Sequence, residues 1–404
     1  SLAYLLKNCT IIYQENPSAD VSLDCTNRNL VSVPDDLPKD AVSTKLNNNL
    51  LKKIYKKDFC GMSTLRNLNL SDNKIEFVDN EAFISLDSLK TLDMKFNKLP
   101  KLTSHMFQGL SNLTMLDLSA NPIEFIHFST FRVLDLSNNM LLTFKDTFKM
   151  TMTNLEVLDI SQNSMRDFDN KDFQGLKSLK ILNLASNIVE NIKQNTFHGL
   201  NSLEVLTASF LLNDVNNLFI VNQLKNLSIY LTNCYTSKFH HLDSYEGFPV
   251  FKSLKNLTVA CSSHGYPYYL PTGVLDAMRH LENFRAINVY INPPDVDMFS
   301  KSPQLKSLAL LTTDLSDMDS KFFLPISNLQ TLDLSESKLK SLDFLAQTNL
   351  TALRYLKITD SEINVVNETV FNSLPSLTYL DLSNNPFTCE CSNAGFIQWV
   401  LDNK

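Results

Sequence analysis

Residues 65–75 read Leu65-Arg66-Asn67-Leu68-Asn69-Leu70-Ser71-Asp72-Asn73-Lys74-Ile75, and the same frame returns 24 residues later as Leu89-Leu92-Met94-Asn97-Leu99 and again as Leu113-Leu116-Leu118-Asn121-Ile123. A leucine-spaced strand followed by an obligatory Asn cannot bury its apolar edge alone, so such units must stack coil on coil. Working outward, repeats start at 41, 65, 89, 113, 131, 155, 179, 203, 224, 254, 281, 305, 329, 353 and 377. The predicted fold is an α/β leucine-rich-repeat solenoid, a horseshoe with a parallel concave β-sheet. An N-terminal disulfide cap and a partial C-terminal cysteine cap are expected to close it.

Each repeat position has a physical task. The three leucine-type residues of the strand point inward, and the Asn after the strand satisfies backbone groups of neighbouring coils. Asn49, Asn73, Asn97, Asn121, Asn139, Asn163 and Asn187 keep that ladder, and Phe59, Phe83, Phe107, Phe173 and Phe197 form a second spine on the convex side. These residues are core. From about 205 the pattern breaks: the ladder positions hold Leu211, Thr232, Ser262 and Val289, and Asn returns at Asn385. The expected divisions are therefore a cap at 1–40, regular repeats at 41–204, irregular repeats with enlarged loops at 205–304, further repeats at 305–386 and the start of a cysteine cap at 387–404.

The repeat that begins at 113 has only 18 residues, and Phe131 both closes it and opens the next. A deletion of six residues plus whole coils would leave this junction, and so would a naturally short coil. Asn385-Pro386-Phe387-Thr388-Cys389-Glu390-Cys391, followed by Trp399, is expected to open a cap whose further cysteines lie downstream. The N-terminus carries no charged-then-apolar leader, as in a mature or trimmed product.

Seven cysteines and seven Asn-x-Ser/Thr sequons, at Asn8, Asn69, Asn112, Asn226, Asn256, Asn349 and Asn367, point together to the oxidising secretory route. Cys9 and Cys25 are expected to staple the first coil. Cys234 and Cys261 lie in neighbouring enlarged coils and are candidates for a second bridge, while Cys60, next to Phe59, is expected to be a buried free thiol. No apolar run reaches the length of about 18 residues that a membrane span needs.

The net charge of −7 supplies no global field for a polyanion, so such a partner needs a local patch. One candidate is Lys45, Lys52, Lys53, Lys56 and Lys57, in a stretch without an acid. A second is the irregular middle, where Tyr235, Lys238, His240 and His241 share one coil and His264, Tyr266 and Tyr268 the next. Aromatics there would stack on bases or on a protein, and the histidines would charge at endosomal pH. Against these stands a row at the fifth repeat position, Asp93, Asp117, Asp135 and Asp159, which repels phosphate from the N-terminal concavity. No phosphate loop, zinc-type His pair or nucleophile elbow is present, so neither catalysis nor a cofactor or metal is expected.

The two-cysteine cap, the Phe-spined 24-residue coils and the Cys-x-Cys segment with its Trp resemble a Toll-like receptor ectodomain. Lys7-Asn8-Cys9-Thr10, Leu30-Val31-Ser32-Val33-Pro34-Asp35-Asp36-Leu37-Pro38 and Phe107-Gln108-Gly109-Leu110-Ser111-Asn112-Leu113-Thr114 are most similar to the fish receptor-22 branch, near receptors 13 and 21. The resemblance implies a single-pass receptor facing the extracellular space or the endosomal lumen. It implies a microbial ligand of nucleic-acid type, double-stranded RNA for that branch, and pairing with a second ectodomain to signal an immune response. Other readings compatible with the repeats are a receptor for a protein or lipid ligand, and a structural or adhesive extracellular protein.

Overall fold

The computed structural model describes residues 6–12, 20–103, 105–124, 131–143, 152–169, 172–210, 218, 221, 223–232, 251–262, 268–269, 275–276, 278–290 and 297–403. The chain divides into two compact units, Ser1–Leu203 and Glu204–Lys404. Each is a leucine-rich-repeat solenoid in which every repeat contributes one strand to a parallel sheet.

In the first unit a cap hairpin, Thr10–Ile12 antiparallel to Val21–Asp24, precedes the repeats and is tied by the Cys9–Cys25 disulfide. Val21–Asp24 then pairs in parallel with Ala41–Lys45. From there the strands follow in chain order to Ile181–Leu184, the equivalent residues of each 24-residue coil standing opposite one another. The cap covers the apolar end that a first coil would otherwise expose.

Strand alternation sorts the side chains. Leu68, Leu92, Leu116, Leu134, Leu158 and Leu182 are buried, while their neighbours on either side face outward. Shortly after each strand the chain turns through left-handed backbone, at Asn48, Asp72, Phe96, Ala120, Asn138, Gln162 and Ser186. Such a conformation costs about 1–2 kcal/mol for an L-residue, so something must hold it in place. The ladder Asn does so, because it follows each of these residues. Asn121 donates its Nδ2 hydrogens to Leu118 O and, in the preceding coil, to Met94 O, both at 3.0 Å, and its Oδ1 accepts from Leu99 N–H at 3.1 Å. The same set recurs at Asn73, Asn97, Asn139, Asn163 and Asn187. Asn49 applies it to the cap, binding Cys25 O and accepting from Leu30 N–H.

The Phe spine is present and continues through the short coil. Phe59, Phe83 and Phe107 are buried with ring centroids 6.1 and 6.2 Å apart, and Phe131 follows edge-on at 6.5 Å. Met115–Asp117 pairs directly with Val133–Asp135, so the 18-residue coil keeps register in sheet, ladder and spine alike. Cys60 is a correction. It is exposed, because Phe59 takes the inward spine position and turns its neighbour outward.

The second unit carries parallel strands from Val205–Phe210 to Tyr379–Asp381, also in order. Here hydroxyls stand in for the missing ladder amides. Ser262 and Thr313 donate to Leu231 O and Val289 O, and Ser337 and Ser361 bond to each other across coils. Asn385 restores the full pattern with Ile358 O, Leu382 O and Ile363 N–H. At the end, the helix Ala394–Asp402 lays Phe396 and Trp399 against Phe371. No helix among the described residues is long and apolar enough to cross a membrane.

Asn121→Ala removes one acceptor and two donors from buried backbone groups. It is expected to lower unfolding stability by about 3 kcal/mol, read as a reduced urea midpoint with the slope unchanged.

Candidate functional site

Strict register turns residues one repeat apart into rows, and three rows have chemistry. The first lies on the open face of the first unit's sheet, where Asp93, Asp117, Asp135 and Asp159 stand opposite one another on successive strands. Each Oδ1 accepts from a backbone N–H two residues on, at Lys95, Ser119, Ser137 and Ser161. Burial, followed by the charges of neighbouring aspartates, pushes the Asp93 and Asp135 carboxyls above the ordinary carboxylate value. Asn69 and Asn183 terminate the row at either end.

The second row lies on the edge of the coils. Lys53–Ile54 pairs in parallel with Phe77–Val78, so Lys53 stands opposite Phe77, and Lys101 occupies the equivalent place of the next coil. Lys53 and Lys101 are exposed and Phe77 is 44% exposed. Lys52 and Lys57 are also exposed, as are Tyr55 and the repeat-equivalent pair Lys74 and Lys98. Lys56 points elsewhere in charge terms: its ammonium is hydrogen-bonded to Glu81, which raises the lysine pKa and lowers that of the glutamate. Lys45 is not part of this edge. It ends the strand Ala41–Lys45, opposite Asp24 and Asn69 on the sheet. Four of the five lysines singled out by contiguity thus share an edge, and Lys74, Lys98, Lys101 and Phe77 join them. The repeat period was the signal that could have found these four.

The third row lies on the open face of the second unit. Asn226, Asn256 and Asn283 stand opposite one another, and their carboxamides are hydrogen-bonded in series. Farther along the same face Tyr355 and Tyr379 stack with centroids 4.3 Å apart and planes 2° from parallel. The hydrogen bond between them holds the Tyr379 phenol above its ordinary value. On the turn side, a depression of about 500 Å³ is lined by Thr312, Asp314, Glu336, Lys338, Asp360, Ser361 and Glu362. Hydrogen bonding from Ser316, reinforced by Lys338, lowers Asp314 to about 2.

The second sequence candidate cannot be placed. Cys234, Tyr235, Lys238, His240, His241, His264 and Tyr266 lie outside the described residues, and of Tyr268 only the backbone is described, in the strand Tyr268–Tyr269. Cys261 is buried at the end of Asn256–Cys261 and is disulfide-bonded. Among the sequons, Asn8, Asn112, Asn349 and Asn367 are exposed, whereas Asn69, Asn226 and Asn256 are half-buried on sheet faces. Asn112 donates to Asp87 O, and Asn367 caps the short helix Glu368–Ser373.

Parts of the chain match a known repeat family. Residues 63–123, 129–189 and 327–387 match the leucine rich repeat family model. Leucine-rich repeat-containing protein 3 of Danio rerio is 43% identical over 56 residues, 14% of this chain and 21% of that protein, so the match spans about a fifth of the relative's length. A solved TLR13–ssRNA13 complex is 18% identical with a TM-score of 0.48, covering 96% of this chain and 69% of that one.

The acidic row predicts a pH signature. Asp135 has a folded pKa above its unfolded one, so its ionisation opposes folding. That cost is absent below about pH 4 and sets in as pH rises through the folded value. Asp314 has the opposite sign and stabilises above its unfolded value, a contribution lost as pH falls toward 2. Asp135→Asn should raise the melting temperature at pH 7 by about 1–3 °C, from roughly 0.2–1 kcal/mol of relieved like-charge pairing. The gain should vanish at pH 3 in a calorimetric series.

Proposed function

We propose that this chain is the recognition ectodomain of an innate immune receptor of the Toll-like type, with a nucleic acid as its microbial ligand. The parent is a membrane-anchored glycoprotein whose ectodomain faces the extracellular space or the endosomal lumen and pairs with a second ectodomain to signal. The cap disulfide Cys9–Cys25 and the bridged Cys261 support an oxidising compartment. The exposed sequons support the same route.

The cation–aromatic–cation row Lys53, Phe77 and Lys101 carries the ligand reading. Lys53 and Lys101 stand two coils apart, about 10 Å at the spacing of paired strands. A strand of nucleic acid running across the coils would place phosphates on these lysines, and a base on Phe77, with Lys52, Lys74 and Lys98 alongside. Asp58, Glu76, Asp79 and the Lys56–Glu81 pair subtract from the field. The Asp93–Asp159 row repels the same ligand from the open face of this unit, leaving the edge as the favoured surface.

Fluorescence anisotropy with single- and double-stranded RNA, DNA and a flagellin control, at pH 5.5 and 7.4 over a salt series, tests this. Binding of nucleic acid should weaken steeply with salt. The double variant Lys53→Glu/Lys101→Glu should reduce the log–log salt slope by about two. Phe77→Ala should weaken single-strand binding by about 1–3 kcal/mol. Nucleic-acid affinity untouched by the charge reversal, or absent altogether, defeats the assignment.

A further inference from the structure

Two of the seven sequons meet on one face of the second unit, where the fold treats them differently. Strand pairing sets Asn226 opposite Asn256 and Asn256 opposite Asn283, with the sequon hydroxyls Ser228 and Thr258 opposite each other as well. Paired strands lie about 4.8 Å apart, so the three carboxamides form one continuous row. Asn283 donates from Nδ2 to Oδ1 of Asn256, and Asn256 donates from Nδ2 to Oδ1 of Asn226. On its other side Asn226 faces Val205, which offers no acceptor. Among the described residues, Asn226 is therefore the member of the row whose Nδ2 hydrogens are uncommitted. Asn256 is enclosed between two amides, donating to one and accepting from the other.

N-glycosylation joins Asn Nδ2 to C1 of an N-acetylglucosamine. The C1–oxygen bond to a polyprenyl pyrophosphate carrier breaks, and a proton leaves the nitrogen. At Asn226 this leaves Oδ1 free to accept from Asn256, and the sugar stands beside Val205, whose side chain takes no part in the amide row. At Asn256 it leaves one hydrogen on a nitrogen that already donates to Asn226, and places a ring between two side chains that are both hydrogen-bonded to this residue. Sugars on both residues would have to stand side by side at the strand spacing, closer than two branched glycan cores fit.

We infer that Asn226 is the glycosylated residue of this face, and that folding of the amide row excludes a glycan from Asn256. The inference depends on passage through the secretory route, as the proposed function does, but on no particular ligand. A glycan on Asn226 would cover the beginning of the amide row and the adjoining Lys225–Glu204 pair, making this a shielded surface.

The test is site-by-site occupancy by peptide mass spectrometry after enzymatic deglycosylation in ¹⁸O-water. The chain is produced in a eukaryotic secretory host, and secreted and cell-retained fractions are compared. Asn226 should be occupied in the secreted protein. Asn256 occupancy should be depleted there by about tenfold or more relative to the retained pool, the ratio expected when a hydrogen bond of the row is broken. Asn226→Gln, which keeps the carboxamide acceptor, should remove the glycan from this face without Asn256 taking it up. Asn283→Ala, which opens the row beside Asn256, should raise secreted Asn256 occupancy. Secreted chains occupied mainly at Asn256, or at both residues, overturn the inference, as does an empty Asn226. Occupancy of the exposed sequons Asn8, Asn112, Asn349 and Asn367 separates these results from failure of the secretory reading, which would leave all of them bare.

Discussion

A buried carboxamide that closes each coil onto the one before it is the interaction on which this architecture depends. In a sheet of short strands, three residues or so of backbone pairing would hold register weakly. The ladder Asn adds bonds to both its own coil and the previous one, and does so from a position with almost no solvent access. It also stabilises the left-handed residue before it, which no glycine eases in these coils. The second unit shows what remains when the amide is lost. A Ser or Thr hydroxyl offers one donor where Asn offers two, so single cross-coil bonds replace the multiple set.

Rigid register has a consequence for the surface. Residues one repeat apart are forced into contact distance, so a single side-chain type becomes a stripe and its electrostatics add. Four aspartates in line, of which Asp93 and Asp135 are raised in proton affinity first by burial and then by neighbouring carboxylates, repel anions. Lysines two coils apart with a phenylalanine between them do the reverse. Three asparagines in line make an amide chain whose members are no longer equivalent. The same backbone thus carries three surfaces of different chemistry without any change of fold.

Much of this was legible before the structure. The repeat period, the cap cysteines, the Asn ladder and the Phe spine each follow from a periodic pattern with one physical explanation. The short coil at 113 was visible as an irregularity, and the structure shows register maintained across it through Phe131 and Asn139. Cys60 departs from its expected burial because adjacency to a buried Phe says nothing about which side of the turn the next residue takes. The lysine patch was drawn by contiguity along the chain. Contiguity groups Lys45 with residues from which the strand separates it, and does not reach Lys74, Lys98 and Lys101, which only the repeat period brings to the same edge.

What the sequence by itself determined is the coil: its length, its inward residues, its turn and its seal, because these are local demands repeated until they are unmistakable. The cysteines and sequons, which need no coordinates to be read, supply the expectation of an oxidising compartment on which the proposed function draws. Only the tertiary structure decided which side chains become neighbours across coils, since stacking brings together residues 24 or 30 apart by backbone pairing. That is why the pairing of Lys53 with Phe77, the insulation of Asn256 between two amides and the mutual influence of the aspartates emerged from register. Composition and motif do not contain them.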